Sequence, residues 1–137
     1  LIKLSNLSLE NDNFNPAHST TFSLKVAVHK DLSDIRIAIT IYDEKQLWIV
    51  GEVITSPMFP DLLKKGYFRL KAELPALWLS PGQYTCYAKA TITAGLDVRS
   101  VRSDPLFLTC KRESSNLVGK ERILSVPVQW DVKEEKL

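Results

Sequence analysis

Gly66-Tyr67-Phe68-Arg69-Leu70-Lys71-Ala72-Glu73-Leu74-Pro75 and, a few residues on, Pro81-Gly82-Gln83-Tyr84-Thr85-Cys86-Tyr87-Ala88-Lys89-Ala90-Thr91-Ile92 decide how this chain folds. In the first run Phe68, Leu70, Ala72 and Leu74 alternate with Tyr67, Arg69, Lys71 and Glu73. A period of two puts the apolar set on one face of a strand and the polar set on the other. Pro75 ends the ladder because it has no N–H to donate. Pro81-Gly82 predicts a turn, with Pro fixing φ and Gly tolerating a positive one. In the second run Tyr84, Cys86, Ala88, Ala90 and Ile92 face one way, and Thr85, Tyr87, Lys89 and Thr91 the other. A strand, a Leu-x-Pro-Gly-x-Tyr corner and a return strand is a common way of crossing between the two sheets of a β-sandwich.

The same alternation extends outward in both directions. Ile2 and Leu4 mark a first strand over 1–9, and Asn11-Asp12-Asn13 a turn. Phe22, Leu24, Val26 and Val28 mark a second strand, and Ile35, Ile37, Ile39 and Ile41 a buried third. Asp43-Glu44-Lys45 is a polar turn into a fourth strand over 46–55, whose pattern is blurred by the continuous apolar run Leu47 to Val50. Pro57 and Pro60 punctuate a connection in which 61–65 can form one helical turn. After a loop at 94–97, a seventh strand over 98–110 is interrupted or bulged near Asp104-Pro105. The last strand covers 123–132, with Val126, Val128, Trp130 and Val132 in phase. About eight strands, frequent turn signals and no amphipathic helix predict an all-β fold. The expected architecture is an antiparallel β-sandwich, Ig-like or jelly-roll, with residues 1–137 forming a single domain.

With 137 residues, 45% of them hydrophobic and 25% charged, the chain has the composition of an ordinary globular domain. A net charge of +2 is too small to argue for nucleic acid. No apolar run is long enough for a transmembrane helix. No signal-peptide pattern is read at the start, and because Leu1 is not Met the chain reads as an excised or processed piece. Cys86 and Cys110 read as small buried thiols in a reducing compartment, the alternative being a disulfide across the core. No metal-ligand cluster and no cofactor motif is present.

The motifs of catalysis are missing too. The sequence has no phosphate-binding Gly-x-x-x-x-Gly-Lys loop, no Gly-x-Ser-x-Gly elbow and no His-Glu-x-x-His pair. His18 and His29 lie at opposite ends of the second strand and read as solvated loop residues. Glu73 and Asp97 are available as a carboxylate pair, but any sandwich of this size offers such pairs. The chain is therefore expected not to be an enzyme.

A surface remains. In an Ig-like threading, strands three, four, six and seven share one sheet. Its outer face would carry Arg36, Thr40, Tyr42, Tyr87, Lys89 and Thr91, joined by Trp48, Arg99 and Arg102. An aromatic ring face flanked by hydroxyl, ammonium and guanidinium groups suits a sugar: the ring stacks on the C–H face of a pyranose and the polar groups fix its hydroxyls. Arg and Lys add a preference for carboxylate or phosphate. The competing reading is a plain solvent-facing sheet, since Thr, Tyr, Lys and Arg serve there in any case. Trp78 reads as an outward rim residue, and Trp130 as a core residue or a contact between strand and partner.

Taken in order, the features Phe22-x-Leu-x-Val-x-Val, Asp34-Ile35-x-Ile-x-Ile-x-Ile41-Tyr42-Asp43, Gly66-Tyr67-Phe68 to Leu74-Pro75, Leu79-x-Pro81-Gly82-x-Tyr84, Gly119 and Val126-x-Val-x-Trp130 resemble those of a known family. It is the C-terminal domain of the ATP-binding subunit of O-antigen polysaccharide ABC transporters, the Wzt type. The turn Asp43-Glu44-Lys45 departs from the family's usual Asp-Gly. The resemblance implies a domain that binds the modified non-reducing end of a finished lipid-linked glycan, so that only completed chains are exported. It implies an ATPase domain upstream in the same subunit, a membrane subunit as partner, and a location in the cytoplasm at the inner face of the inner membrane of a Gram-negative bacterium. It also implies a homodimer formed through the C-terminal strand, with Val126, Val128 and Trp130 at the interface. The basic outer face points to an acidic cap, such as a Kdo-like sugar or a phosphate, with a neutral or methylated cap left open. The alternative reading is an Ig-like protein-interaction or structural module, which a Cys86–Cys110 disulfide would favour.

Overall fold

Period-two alternation becomes strand pairing in the computed structural model, which describes residues 2–10, 18–43, 48–51, 54–55, 58–76, 82–110 and 123–135. In chain order the strands are β1 (Ile2–Leu9), β2 (Thr20–Val28), β3 (Asp34–Tyr42), β4 (Trp48–Gly51), β5 (Ile54–Thr55), β6 (Gly66–Leu74), β7 (Gly82–Ala94), β8 (Asp97–Arg102), β9 (Leu106–Cys110), β10 (Ile123–Val126) and β11 (Gln129–Glu135). A 3-10 turn over Pro60–Leu63 stands where one helical turn is predicted. The eight predicted runs are all present. Two are broken in two, the seventh into β8 and β9 and the last into β10 and β11, and the described residues of the fourth form β4 and β5.

The strands form two sheets. One has the order β1-β2-β6-β11. The other runs β10-β4-β3-β7-β8, with β5 also pairing β3 and β9 also pairing β7. The quoted stretch therefore crosses between sheets as its pattern predicts, with β6 in the first sheet and β7 in the second. Pairing is antiparallel except between β10 and β4, which run parallel.

The apolar face of each sheet fills the core. Across β2 and β6, Phe22 lies opposite Ala72, Leu24 opposite Leu70 and Val26 opposite Phe68. Across β3 and β7, Ile37 lies opposite Ala90 and Ile39 opposite Ala88. Small residues on β7 thus face large ones on β3, which lets the two inner faces interdigitate at interior density. All of these side chains are buried. Leu62, from the 3-10 turn, is buried with them, and the turn is held by Leu32 N–H donating to the Leu63 carbonyl at 2.8 Å.

The break between β8 and β9 has a definite chemistry. Both strands pair with β7, β8 along its C-terminal half and β9 along its N-terminal half. Ser103 spans the gap. Its N–H donates to the Ala88 carbonyl at 2.9 Å, its Oγ accepts from Ala88 N–H at 2.9 Å, and its hydroxyl donates to the Asp104 carbonyl at 3.1 Å. Side chain thus replaces backbone where the ladder would otherwise leave a buried amide unpaired. Ser103→Ala orphans the Ala88 N–H and is expected to cost about 1–3 kcal/mol. Denaturant titration checks this, and a loss below about 0.5 kcal/mol would contradict it.

The last predicted strand needs a correction. Pro127 divides it, so Val126 ends β10 in the seven-stranded sheet while Trp130 and Val132 belong to β11 in the other. The unbroken phase predicts one strand for Val126, Trp130 and Val132, and they belong to two sheets. Trp130 lies opposite Ala72 and Val132 opposite Leu70, on the core side. Both, with Val128, are partly buried against the core.

Cys86 is a free, buried thiol. Cys110 pairs with Gly82 in the ladder while Cys86 pairs with Leu106, a four-residue offset of about 13 Å that no disulfide spans. Burial pushes the Cys86 thiol up from its ordinary value. The unfolded thiol ionises near pH 9 and the folded one does not, so Cys86 contributes stability that is fully present below pH 9 and lost as pH rises above it. A Cys110→Ser variant, which leaves Cys86 as the single thiol, is expected to react with a thiol reagent only as fast as the chain opens. Reaction at the rate of a free thiol would contradict the burial.

Candidate functional site

β3 and β7 position the candidate site because their registers hold the outward residues in straight rows. On the outer face of the seven-stranded sheet, Tyr42, Thr85 and Phe107 form one row, and Thr40 and Tyr87 the next. Ala38, Lys89 and Arg102 follow, then Arg36, Thr91 and Ser100. Successive rows on one face are about 7 Å apart. The patch from Phe107 to Arg36 is thus about 20 Å long, enough for two or three sugar rings.

Aromatic groups occupy one end. Tyr42 and Tyr87 meet edge to face, with ring centroids 6.0 Å apart and planes at 70°. The Arg102 guanidinium lies over the Tyr87 ring, 4.7 Å from its centroid. Tyr87 is only 8% exposed, and Thr40, directly opposite it, only 6%. The predicted stacking platform is covered by a cation, because Arg prefers an aromatic face to open water. Among the described residues the open ring on this face is Phe107, 74% exposed.

The other predicted residues fall as follows. Arg36 is on the face, two rows from Tyr87, with its Nε 3.7 Å from the Asp34 carboxylate. Lys89 is on the face, directly opposite Arg102. Trp48 lies opposite Tyr42 in the β3–β4 ladder. Arg99 is not on the face. It pairs with Ile92, a core residue, so it points to the opposite side of the sheet, where β8 overhangs the core at the open edge. There it is exposed, 3.9 Å from the Asp97 carboxylate. Trp78 and the turn residues Glu44 and Lys45 lie outside the described residues.

Alternation carried the signals for both errors. Phe107 shares its phase with Thr109, against the inward Leu106 and Leu108. Arg99 and Arg102 are three positions apart and cannot share a face of one unbroken strand.

The four-stranded sheet has an outer face of a different kind. An open groove of about 280 Å³ is lined by Glu10, Thr21, Lys71, Glu73, Gln129 and Asp131, together with the core-side Trp130. Lys71 is already paired with Glu10 at 2.7 Å. Glu73 belongs to this sheet and Asp97 to the other, so they do not form a carboxylate pair. His18 and His29 are exposed. Among the described residues no group of His, Cys, Asp and Glu is arranged to hold a metal ion. Nor, among the described residues, is any helix long and apolar enough to cross a membrane.

Comparison with known proteins bears on the fold first. A solved structure described as the C-terminal domain of wzt is similar with a TM-score of 0.53 and 17% identity, covering 77% of this chain and 70% of that one. At that identity the likeness concerns the fold alone. No curated protein matches the chain. The model of one family, described as the Wzt C-terminal domain, matches residues 2–118.

Proposed function

The chain belongs to the Wzt C-terminal domain family, and from that premise we propose that it is a non-catalytic glycan-binding domain that recognises the modified non-reducing end of an O-antigen polysaccharide for export by an ABC transporter. One observation carries the reading to a particular surface. The outer face of the seven-stranded sheet combines the open Phe107 ring and the Tyr42–Tyr87 pair with Thr85, Thr91, Lys89 and Arg102 in straight rows. A flat row of this kind suits an extended sugar chain, with the ring taking a pyranose C–H face and the flanking groups its hydroxyls. The two cations favour a cap that carries negative charge.

In this reading residues 1–137 act as one domain of a transporter's ATP-binding subunit, on the cytoplasmic side of the inner membrane of a Gram-negative bacterium. Its partners are the ATPase domain of the same subunit, the membrane subunit and the polysaccharide. The domain is a homodimer. β11 is an edge strand joined to β10 through Pro127, and its exchange between two copies would preserve the β6–β11 register. Val128 and Trp130 would then pack on the partner's core, with Val126 at the strand end beside the crossing.

The Cys86–Cys110 disulfide that would favour a protein-interaction module is not formed, since Cys86 is a free thiol. Calorimetric titration of this chain with polysaccharide that carries or lacks its terminal modification tests the proposal. Binding that requires the modification is expected. A folded chain that binds neither form would return the weight to the protein-interaction reading.

A further inference from the structure

Lys89 and Arg102 stand directly opposite each other on neighbouring strands, both on the outer face. Their Cβ atoms are then about 5 Å apart, and like charges so placed repel. A carboxylate nearby would relieve this, but among the described residues neither cation has an ion-pair partner. Asp34, two rows away on the same face, lies against Arg36. Asp97 lies against Arg99 on the other side of the sheet. Asp104, just beyond the Ser103 bend, is exposed and pairs with neither.

Arg102 is also held in place. Its guanidinium is seated on Tyr87 at 4.7 Å, Tyr87 is braced edge-on by Tyr42, and the next residue, Ser103, is bonded through both its N–H and its side chain to Ala88. A guanidinium has five N–H donors, and those not turned toward the ring beneath it can fork onto an oxyanion. Lys89 adds a point charge beside it. The Thr91 and Ser100 hydroxyls occupy the next row along.

We infer that Lys89 and Arg102 form an anion clamp that reads one oxyanion group, a sugar carboxylate or a phosphate, at the end of the bound chain. The inference rests on the glycan reading of this face and adds to it the residues that select the charged group. The clamp holds two like charges together at some cost to the empty domain, and the ligand's charge removes that cost. Tyr87 serves as the seat of Arg102, so it acts as a positioning residue and not as the sugar platform.

The test is thermal unfolding and calorimetry of the whole chain at low salt, with methyl phosphate, a methyl glucuronoside and a neutral methyl glucoside as probes. At least one acidic probe is expected to raise Tm in a saturable way, and the neutral sugar to leave it unchanged. Lys89→Gln and Arg102→Gln should each weaken that binding about tenfold or more. Arg102→Lys should fall between wild type and Arg102→Gln, since it keeps the charge and loses the fork. Lys89→Gln should also raise the Tm of the anion-free chain by about 2 °C, which a merely structural lysine would not do. Equal Tm shifts in wild type and both Gln variants, or equal shifts with acidic and neutral sugars, would overturn the clamp. If no acidic probe binds while polysaccharide binding persists and depends on Phe107, the clamp is wrong and the glycan reading stands. If the polysaccharide does not bind either, both fall.

Discussion

Replacing Leu70 by alanine is expected to lower the unfolding free energy by about 3 kcal/mol and Tm by roughly 10 °C. Leu70 sits in the middle of β6, paired with Leu24 on one side and Val132 on the other, and it is completely buried. The neighbours that would have to collapse into the hole belong to strands fixed on both sides by ladder hydrogen bonds, so the cavity stays largely open. Tyr67, three residues away and outward on the same strand, provides the control, because its truncation leaves no cavity and should cost under about 1 kcal/mol. Chemical denaturation of both variants gives the comparison. A Leu70→Ala loss no larger than that of Tyr67→Ala would mean that β6 is not the centre of its sheet.

The second large effect concerns binding. Phe107→Ala is expected to weaken affinity for the modified polysaccharide by about tenfold or more and to leave stability almost unchanged. Phe107 is exposed and makes no contribution to the buried core, so its ring has little to do in the unliganded fold. A sugar stacked on it would lose about 1–2 kcal/mol on truncation, by analogy with other aromatic stacking. Tyr87→Ala should act differently. It removes the seat of Arg102 and the partner of Tyr42, and so should weaken binding of an acidic chain end more than that of a neutral one. Calorimetry on the two variants separates the roles. Unchanged affinity in both would remove this face from consideration.

Much of this architecture is legible in the sequence, and the reason is local. The predicted bounds of β6, from Gly66 to the Leu74-Pro75 end, match its observed span, because a half-buried strand writes its period of two directly into the chain. β7 extends beyond its predicted end to Ala94 because it continues into a hairpin with β8 through Gly95, whose φ is +62°. The polar phase of β3 and β7 likewise identifies the outer face and most of its residues.

What the sequence hides is pairing between distant residues. That Lys89 opposes Arg102, and that Arg99 faces the other way, depends on the β7–β8 register. Ser103, read along the chain, is one more polar loop residue, and its capture of Ala88 appears only when β8 and β9 are seen to share one neighbour. The cover that Arg102 places on Tyr87 is also a tertiary event. It changes Tyr87 from an open platform into a support. The Pro127 break could be suspected from proline chemistry, but its consequence, two halves in different sheets, could not.

The most direct measurement is an NMR titration of the isotope-labelled chain with polysaccharide carrying its terminal modification, with backbone amide shifts followed residue by residue. If the seven-stranded sheet's outer face reads the chain end, the largest changes will fall on Tyr42, Thr85, Tyr87, Lys89, Arg102 and Phe107. Thr21, Lys71 and Glu73 on the opposite sheet will stay still, and polysaccharide lacking the modification will produce none of these changes. Shifts concentrated around Thr21, Lys71 and Glu73, or identical shifts with and without the modification, would contradict chain-end recognition by this face.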